Sequence, residues 1–206
     1  MFLSPDLSYL VGALRDGSVY YYSRNRSYYT LFYQKYRSWL VHSIGKRITR
    51  LFGLNYSIDE YKRGHYRLRI SSKRLYSLWI DQFGFPREGE TQLHWDVPRL
   101  ILDSDLLTQS YFLRAFFDTE GDVSPSSSST YYLGLSQKNT TVLYQLKSLL
   151  SSFDIKTSSI HLADKKSNTY RFSIVGKEEI FKFRDKIGSE HPVKKEKIDQ
   201  ILLSSD

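Results

Sequence analysis

Two carboxylates stand at equivalent points of a repeated pattern. Asp16 follows the apolar run in Tyr9-Leu-Val-Gly-Ala-Leu-Arg-Asp-Gly-Ser-Val19, and Glu120 follows that in Leu113-Arg-Ala-Phe-Phe-Asp-Thr-Glu-Gly-Asp-Val123; acid and following glycine recur at an offset of 104. The apolar spacing before each acid predicts a helix, and Gly17 reads as the usual glycine C-cap of the first. A carboxylate in a last helical turn meets the negative end of the helix dipole, at a cost of about 0.3–1 kcal/mol. The same breach in both copies points to a functional demand. Packed side by side through Val11, Gly12 and Ala115, the helices would bring both acids and several carbonyls together. Such a cluster repels itself unless cations fill it, and hard oxygen donors with open positions suit Mg²⁺ or Mn²⁺. A divalent ion between two carboxylates and a phosphodiester can activate water and stabilise the leaving oxygen. Asp16, Gly17, Glu120 and Gly121 are the expected metal ligands.

Other chemistry-bearing residues repeat as well. Gln34-Lys35 recurs as Gln137-Lys138 at an offset of 103, and Tyr66-Arg-Leu-Arg-Ile-Ser-Ser-Lys73 recurs as Tyr170-Arg-Phe-Ser-Ile-Val-Gly-Lys177 at 104. A lysine near a metal-bound hydroxide can stabilise a pentavalent phosphate, and a glutamine can orient the water. Lys73 and Lys177 read more simply as surface or phosphate-contacting residues.

These matches, in one order, imply two modules of about 100 residues related by a pseudo-twofold. A solenoid would need at least three units. Each module reads as αββαββα. In the first, Ser4 and Pro5 start a helix, strands follow at 19–24 and 28–34, then a helix at 37–51, strands at 55–58 and 66–70, and a helix at 73–83. The expected division is 1–84 for the first module, 85–104 for a connector and 105–206 for the second, in an α+β fold whose antiparallel sheets form a saddle.

Lys and Arg outnumber Asp and Glu by 30 to 22, leaving a net charge of +8, which favours a polyanionic partner. The absence of Cys excludes disulfides, zinc–thiolate sites and cysteine nucleophiles. The first nine residues lack the pattern of a secretory signal, and no apolar run is long enough for a membrane span, so an intracellular, cytoplasmic and nucleoid-associated setting is expected. Strand alternation puts Tyr20, Tyr22, Arg24, Tyr29, Leu31, Tyr33, Arg67 and Arg69 on one outward face, with Arg26 at the turn. Arg reads guanine edges, and a two-stranded ribbon fits a major groove. Tyr132, Gly134, Ser136, Arg171 and Ser173 are the second half's counterparts. Small residues replace large ones there, so the halves are expected to read different half-sites.

The two helix-end motifs resemble the paired signatures of the LAGLIDADG homing endonucleases, in their monomeric, two-motif, archaeal intron-encoded form. The resemblance covers nearly the whole chain. It implies that the motif helices form the interface between halves, that their final acids bind divalent metals, and that Gln34, Lys35, Gln137 and Lys138 surround them. It further implies a sheet saddle in the major groove of double-stranded DNA, and double-strand cleavage of a long asymmetric site with short 3′ overhangs. One departure stands out: aligned on the acid, the small residue of the helix crossing is matched by Ala115 in copy two but by Val11 in copy one, with Gly12 one place later. The expectation is a crossing in shifted register. An RNA-binding maturase, with intron RNA as partner, and a DNA-binding protein without catalysis are the alternatives. The lack of Cys and of a His-Asn terminus leads us to expect a free-standing enzyme rather than an intein.

Overall fold

A computed structural model describes residues 3–86, 93, 95–125 and 130–204. The serine run at 126–129 and connector residues 87–92 and 94 lie outside the described residues. Helix α1 (Pro5–Ala13) starts where expected: the Ser4 hydroxyl accepts a hydrogen bond from the Leu7 amide at 3.3 Å, and Pro5 takes the first turn. A 3-10 turn (Leu14–Asp16) leads into β1 (Gly17–Tyr22), followed by β2 (Ser27–Gln34). The helix expected at 37–51 is α2 (Arg37–Trp39) and α3 (Lys46–Phe52) joined by a π-helical stretch (Leu40–Gly45). Gly45 ends that stretch, and a Cβ there would collide with the Tyr56 ring. Strands β3 (Ser57–Lys62) and β4 (His65–Ser71) precede α4 (Lys73–Phe83), which Ser72 caps by accepting from the Leu75 amide.

After α5 (Arg99–Leu102) the series repeats: α6 (Leu106–Glu120), β5 (Gly121–Val123), β6 (Tyr132–Gln137), α7 (Thr140–Ser151), β7 (His161–Asp164), β8 (Thr169–Val175) and α8 (Lys177–Lys186). An eighth element, α9 (Pro192–Leu203), then extends the second copy beyond the αββαββα plan. The sheets share one topology, β1-β2-β4-β3 and β5-β6-β8-β7, antiparallel throughout. The repeat also holds at the level of register. Gln34 faces Tyr66 as Gln137 faces Tyr170, and Leu31 faces Arg69 as Gly134 faces Ser173.

Helices α1 and α6 pack against each other at the centre. From Leu7 to Ala13 every residue of α1 is buried, as a helix apolar on all sides must be. The crossing is at Gly12, in the shifted register: a Cβ there would lie 2.6 Å from the Phe112 carbonyl oxygen and 3.0 Å from the Ala115 methyl. Polar ties flank the contact. Ser8 Oγ donates to the Thr108 carbonyl at 2.7 Å, and the Tyr9 hydroxyl donates to Asp118 Oδ2 at 2.6 Å while accepting from Trp39 Nε1. Asp118 is fully buried, and it also accepts from Ser189 Oγ and the amides of Glu190 and His191. A buried carboxyl stays compatible with folding when its acceptor sites are filled in this way.

The crossing generates a prediction. Gly12→Val drives methyls into rigid backbone, so urea denaturation should show a loss of about 1–3 kcal/mol or more. An unchanged denaturation midpoint would contradict the packing.

Candidate functional site

Asp16 ends the 3-10 turn after α1, and Glu120 is the last residue of α6. In each copy a strand starts at the next residue, so the acids mark the junction of paired helices and sheets. Gly17 differs from the expected left-handed cap: its φ is −120°, because the chain runs straight into β1. Glycine is required there for close approach, since a Cβ would lie 2.5 Å from the Leu31 carbonyl oxygen. At Gly121 a Cβ would enter the Phe117 ring.

Burial raises both carboxyls above their usual range. Asp16 rises to about 7, through lost hydration first and the charge of Glu120 second, with Lys194 opposing. Glu120 is raised by burial, opposed by Arg15, Lys194 and a hydrogen bond with Gln137. Asp16 keeps an exposed surface, although surrounding protein removes much of its hydration. Among the described residues Asp16 accepts no hydrogen bond and joins no ion pair. No group of three or more His, Asp or Glu side chains able to enclose a metal occurs among them. The donor set therefore offers two carboxylates from opposite halves and leaves other positions to carbonyls, water or phosphate. That suits a hard ion that retains water, as Mg²⁺ does.

The neighbouring shell is unequal between halves. A cleft of about 530 Å³ is lined by Arg15, Leu93, Glu120, Ser136, Gln137, Lys138 and Thr169. Gln137 is buried, and its Oε1 accepts from Arg15 Nη2 at 2.9 Å. Gln34, by contrast, turns its Oε1 back to the Lys35 amide at 2.8 Å. Lys35 and Lys138 are both exposed. Asp16, Gln34 and Lys35 do not line the cleft.

Two residues at this centre had no place in the sequence reading as site residues. Lys194, on α9, donates from Nζ to the Phe117 and Asp118 carbonyls, each at 2.8 Å, capping the end of α6. Burial lowers it to about 8, against the pull of Asp118, Glu120, Asp122 and Asp16. Its positive charge offsets the negative helix end on which Glu120 stands. Nothing in the run Pro192-Val-Lys-Lys-Glu-Lys distinguishes it from its lysine neighbours. Arg15 does carry a sequence signal: a cation between the apolar run and the first acid. Its guanidinium lies over Trp95 at 5.1 Å and beside Gln137.

The outward sheet face is largely as expected. Tyr22 and Arg69 are exposed; Tyr20, Tyr29, Tyr33, Arg67, Tyr132, Ser136, Arg171 and Ser173 are partly exposed. Arg26 is exposed in the β1–β2 turn as expected, and Arg24 joins it there rather than in the strand, because β1 ends at Tyr22. Two expectations are corrected. Leu31 is buried at 3% exposure, a short apolar side chain among the longer Tyr29, Tyr33, Arg67 and Arg69 of its own face. Gly134 is buried as well, because Arg171 lies across it.

The raised carboxyls yield a pH prediction for the metal-free protein. An acid with a raised folded pKa contributes stability below its ordinary value and loses that contribution as pH climbs through the folded value. For Asp16 the window runs from 3.8 to about 7. In EDTA, wild type should therefore lose melting temperature relative to Asp16→Asn across this window, and Mg²⁺ should restore it in wild type alone. A wild type as stable as the variant above pH 7 in EDTA would contradict the assignment.

A family profile described as a LAGLIDADG-like domain matches residues 108–188. The chain is 35% identical to the homing endonuclease I-ApeI of Aeropyrum pernix over 197 residues, covering 95% of this chain and 86% of that protein. Among solved structures, I-DmoI in complex with DNA and Ca is similar at a TM-score of 0.71 and 20% identity, covering 96% of this chain and 98% of that one. The N-terminal LAGLIDADG domain of DUF199/WhiA is similar at a TM-score of 0.58 and 16% identity, covering 96% and 86%. Likeness at those identities speaks for the fold. Identity to I-ApeI across nearly all of both proteins, with the two helix-end acids at the junction of two like modules, places this chain in the LAGLIDADG homing endonuclease family.

Proposed function

We propose that this chain is a site-specific DNA endonuclease that cuts both strands of a long asymmetric duplex target and leaves short 3′ overhangs. The observation that carries the reading is the convergence of Asp16 and Glu120, one from each half, at the ends of the paired helices α1 and α6. Support comes from the relative I-ApeI and from the fold shared with I-DmoI, whose structures hold DNA with Mn, Mg or Ca.

Asp16 and Glu120, with the Gly17 and Gly121 carbonyls beside them, would hold the divalent ions, Mg²⁺ or Mn²⁺. Bound there, the ions supply a nucleophilic water and charge stabilisation at the scissile phosphates. The chain's own residues do the rest. Gln137, fixed by Arg15, orients water on the Glu120 side. Gln34 takes the same role on the Asp16 side once released from the Lys35 amide. Lys35 and Lys138 offer exposed ammonium groups to the phosphates. Lys194 holds the end of α6 so that Glu120 keeps its direction. The net charge of +8 draws the duplex to the sheets.

Cleavage of duplex DNA carrying the uninterrupted insertion site, with Mg²⁺ against EDTA, tests the activity. Asp16→Asn or Glu120→Gln should abolish double-strand cleavage and leave DNA binding within a few-fold. Cleavage that persists in the double variant would overturn the roles of the acids. Because both copies lie in one chain, light scattering of the complex should give one protein per duplex. Cleavage confined to a two-protein complex would refute monomeric action.

A further inference from the structure

The two sheets carry equivalent arginines that point in opposite directions. Arg67 on β4 faces Tyr33, and Arg171 on β8 faces Ser136, at matching places in the register. Arg67 is held by Asp59 on the edge strand β3, Nη2 to Oδ2 at 2.6 Å and Nε to Oδ1 at 3.3 Å. Arg171 is held by Asp122 on β5, at the opposite edge of its sheet, Nη2 to Oδ2 at 2.7 Å. Strand β5 starts beside Glu120, whereas β3 is the strand farthest from Asp16 in its sheet order.

Three pairs of equivalent positions favour this divergence. The edge position facing the arginine is Asp59 in one copy and His161 in the other, so only Arg67 has a carboxylate there. The inner strand bears Ser18 in one copy and Asp122 in the other, so only Arg171 has a carboxylate near the acids. The strand between bears Leu31 or Gly134. A Cβ on Gly134 would collide with the Arg171 guanidinium and lie 2.6 Å from Asp122 Oδ1. The missing side chain is the gap through which Arg171 reaches inward; in the other copy Leu31 fills it.

We propose that Arg171 and Arg67 are specificity-determining residues that read guanines at unequal distances from the point of cleavage. Arg171, drawn inward by Asp122 across Gly134, reads an inner base pair. Arg67, drawn outward by Asp59, reads an outer pair of the other half-site. The carboxylates act as positioning residues: each occupies part of its guanidinium and aims the remaining N–H groups. Arg171 donates to Asp122 through Nη2 alone among the described residues, so one of its two edges of paired N–H groups stays open, and one such edge suffices for guanine O6 and N7. The inference rests on reading the sheets as the DNA surface, but not on cleavage.

The test is selection of bound duplexes from a randomised library in Ca²⁺, with wild type, Arg171→Ala, Asp122→Asn, Gly134→Ala, Arg67→Ala and Asp59→Asn. Circular dichroism and melting confirm that each variant is folded, and Arg171→Lys serves as a second probe should the alanine variant unfold. The Arg171, Asp122 and Gly134 variants should relax one guanine preference by about tenfold, at the same inner pair. The Arg67 and Asp59 variants should relax a different preference, at least one base pair farther from the centre. Relaxation at equal distances, uniform weakening on all sequences, or no selection at all would overturn the proposal. Intact selection with no cutting of the selected duplex in Mg²⁺ would sink the endonuclease reading and leave this one standing.

Discussion

The absence of a side chain at Gly12 lets α1 lie directly on the backbone of α6 at Phe112 and Phe116. The candidate site depends on that closeness. With the helices in contact, the 3-10 turn after α1 and the last turn of α6 bring Asp16 and Glu120 within electrostatic reach of each other, and a strand starts one residue after each. A bulkier residue at the crossing would separate the halves and the acids together. The buried hydrogen bond from Tyr9 to Asp118 fixes the same two helices against sliding, because a displaced partner would leave a buried carboxylate unpaired.

The arrangement concentrates negative charge where two helix dipoles already end, and the fold answers it asymmetrically. Lys194, supplied by the extra helix α9, caps the carbonyls at the end of α6. Arg15 reaches Gln137 from the other copy. Both cations lower the proton affinity of Glu120, while Asp16 is relieved by Lys194 alone. The carboxyl that rises to about 7 is therefore the one with the most to gain from a divalent ion.

What the sequence reveals follows from what the repeat constrains. Paired acids, Gln-Lys pairs and the Tyr-Arg strands are legible because they recur in one order at offsets of 103 or 104, and the register bears this out in Gln34–Tyr66 and Gln137–Tyr170. The Gly12 departure correctly signals a shifted crossing. Features outside the repeat are not legible: α9 has no counterpart, so Lys194 looks like any lysine of an exposed helix. Strand alternation sorts faces but not neighbours. It places Leu31 outward without showing that longer side chains surround it, and it shows Gly134 only as a short position, not as room for Arg171. The end of the first helix misled for a similar reason: glycine commonly marks a left-handed cap, but Gly17 is there for close packing, in extended backbone.

On our reading, the α1–α6 contact builds one divalent-ion site from two halves of the chain. Anomalous scattering from crystals of the protein–DNA complex grown with Mn²⁺ tests it most directly. A Mn²⁺ peak is expected within coordination distance of carboxylate oxygens of both Asp16 and Glu120. Mn²⁺ bound only to one of them, or only elsewhere on the complex, would contradict it.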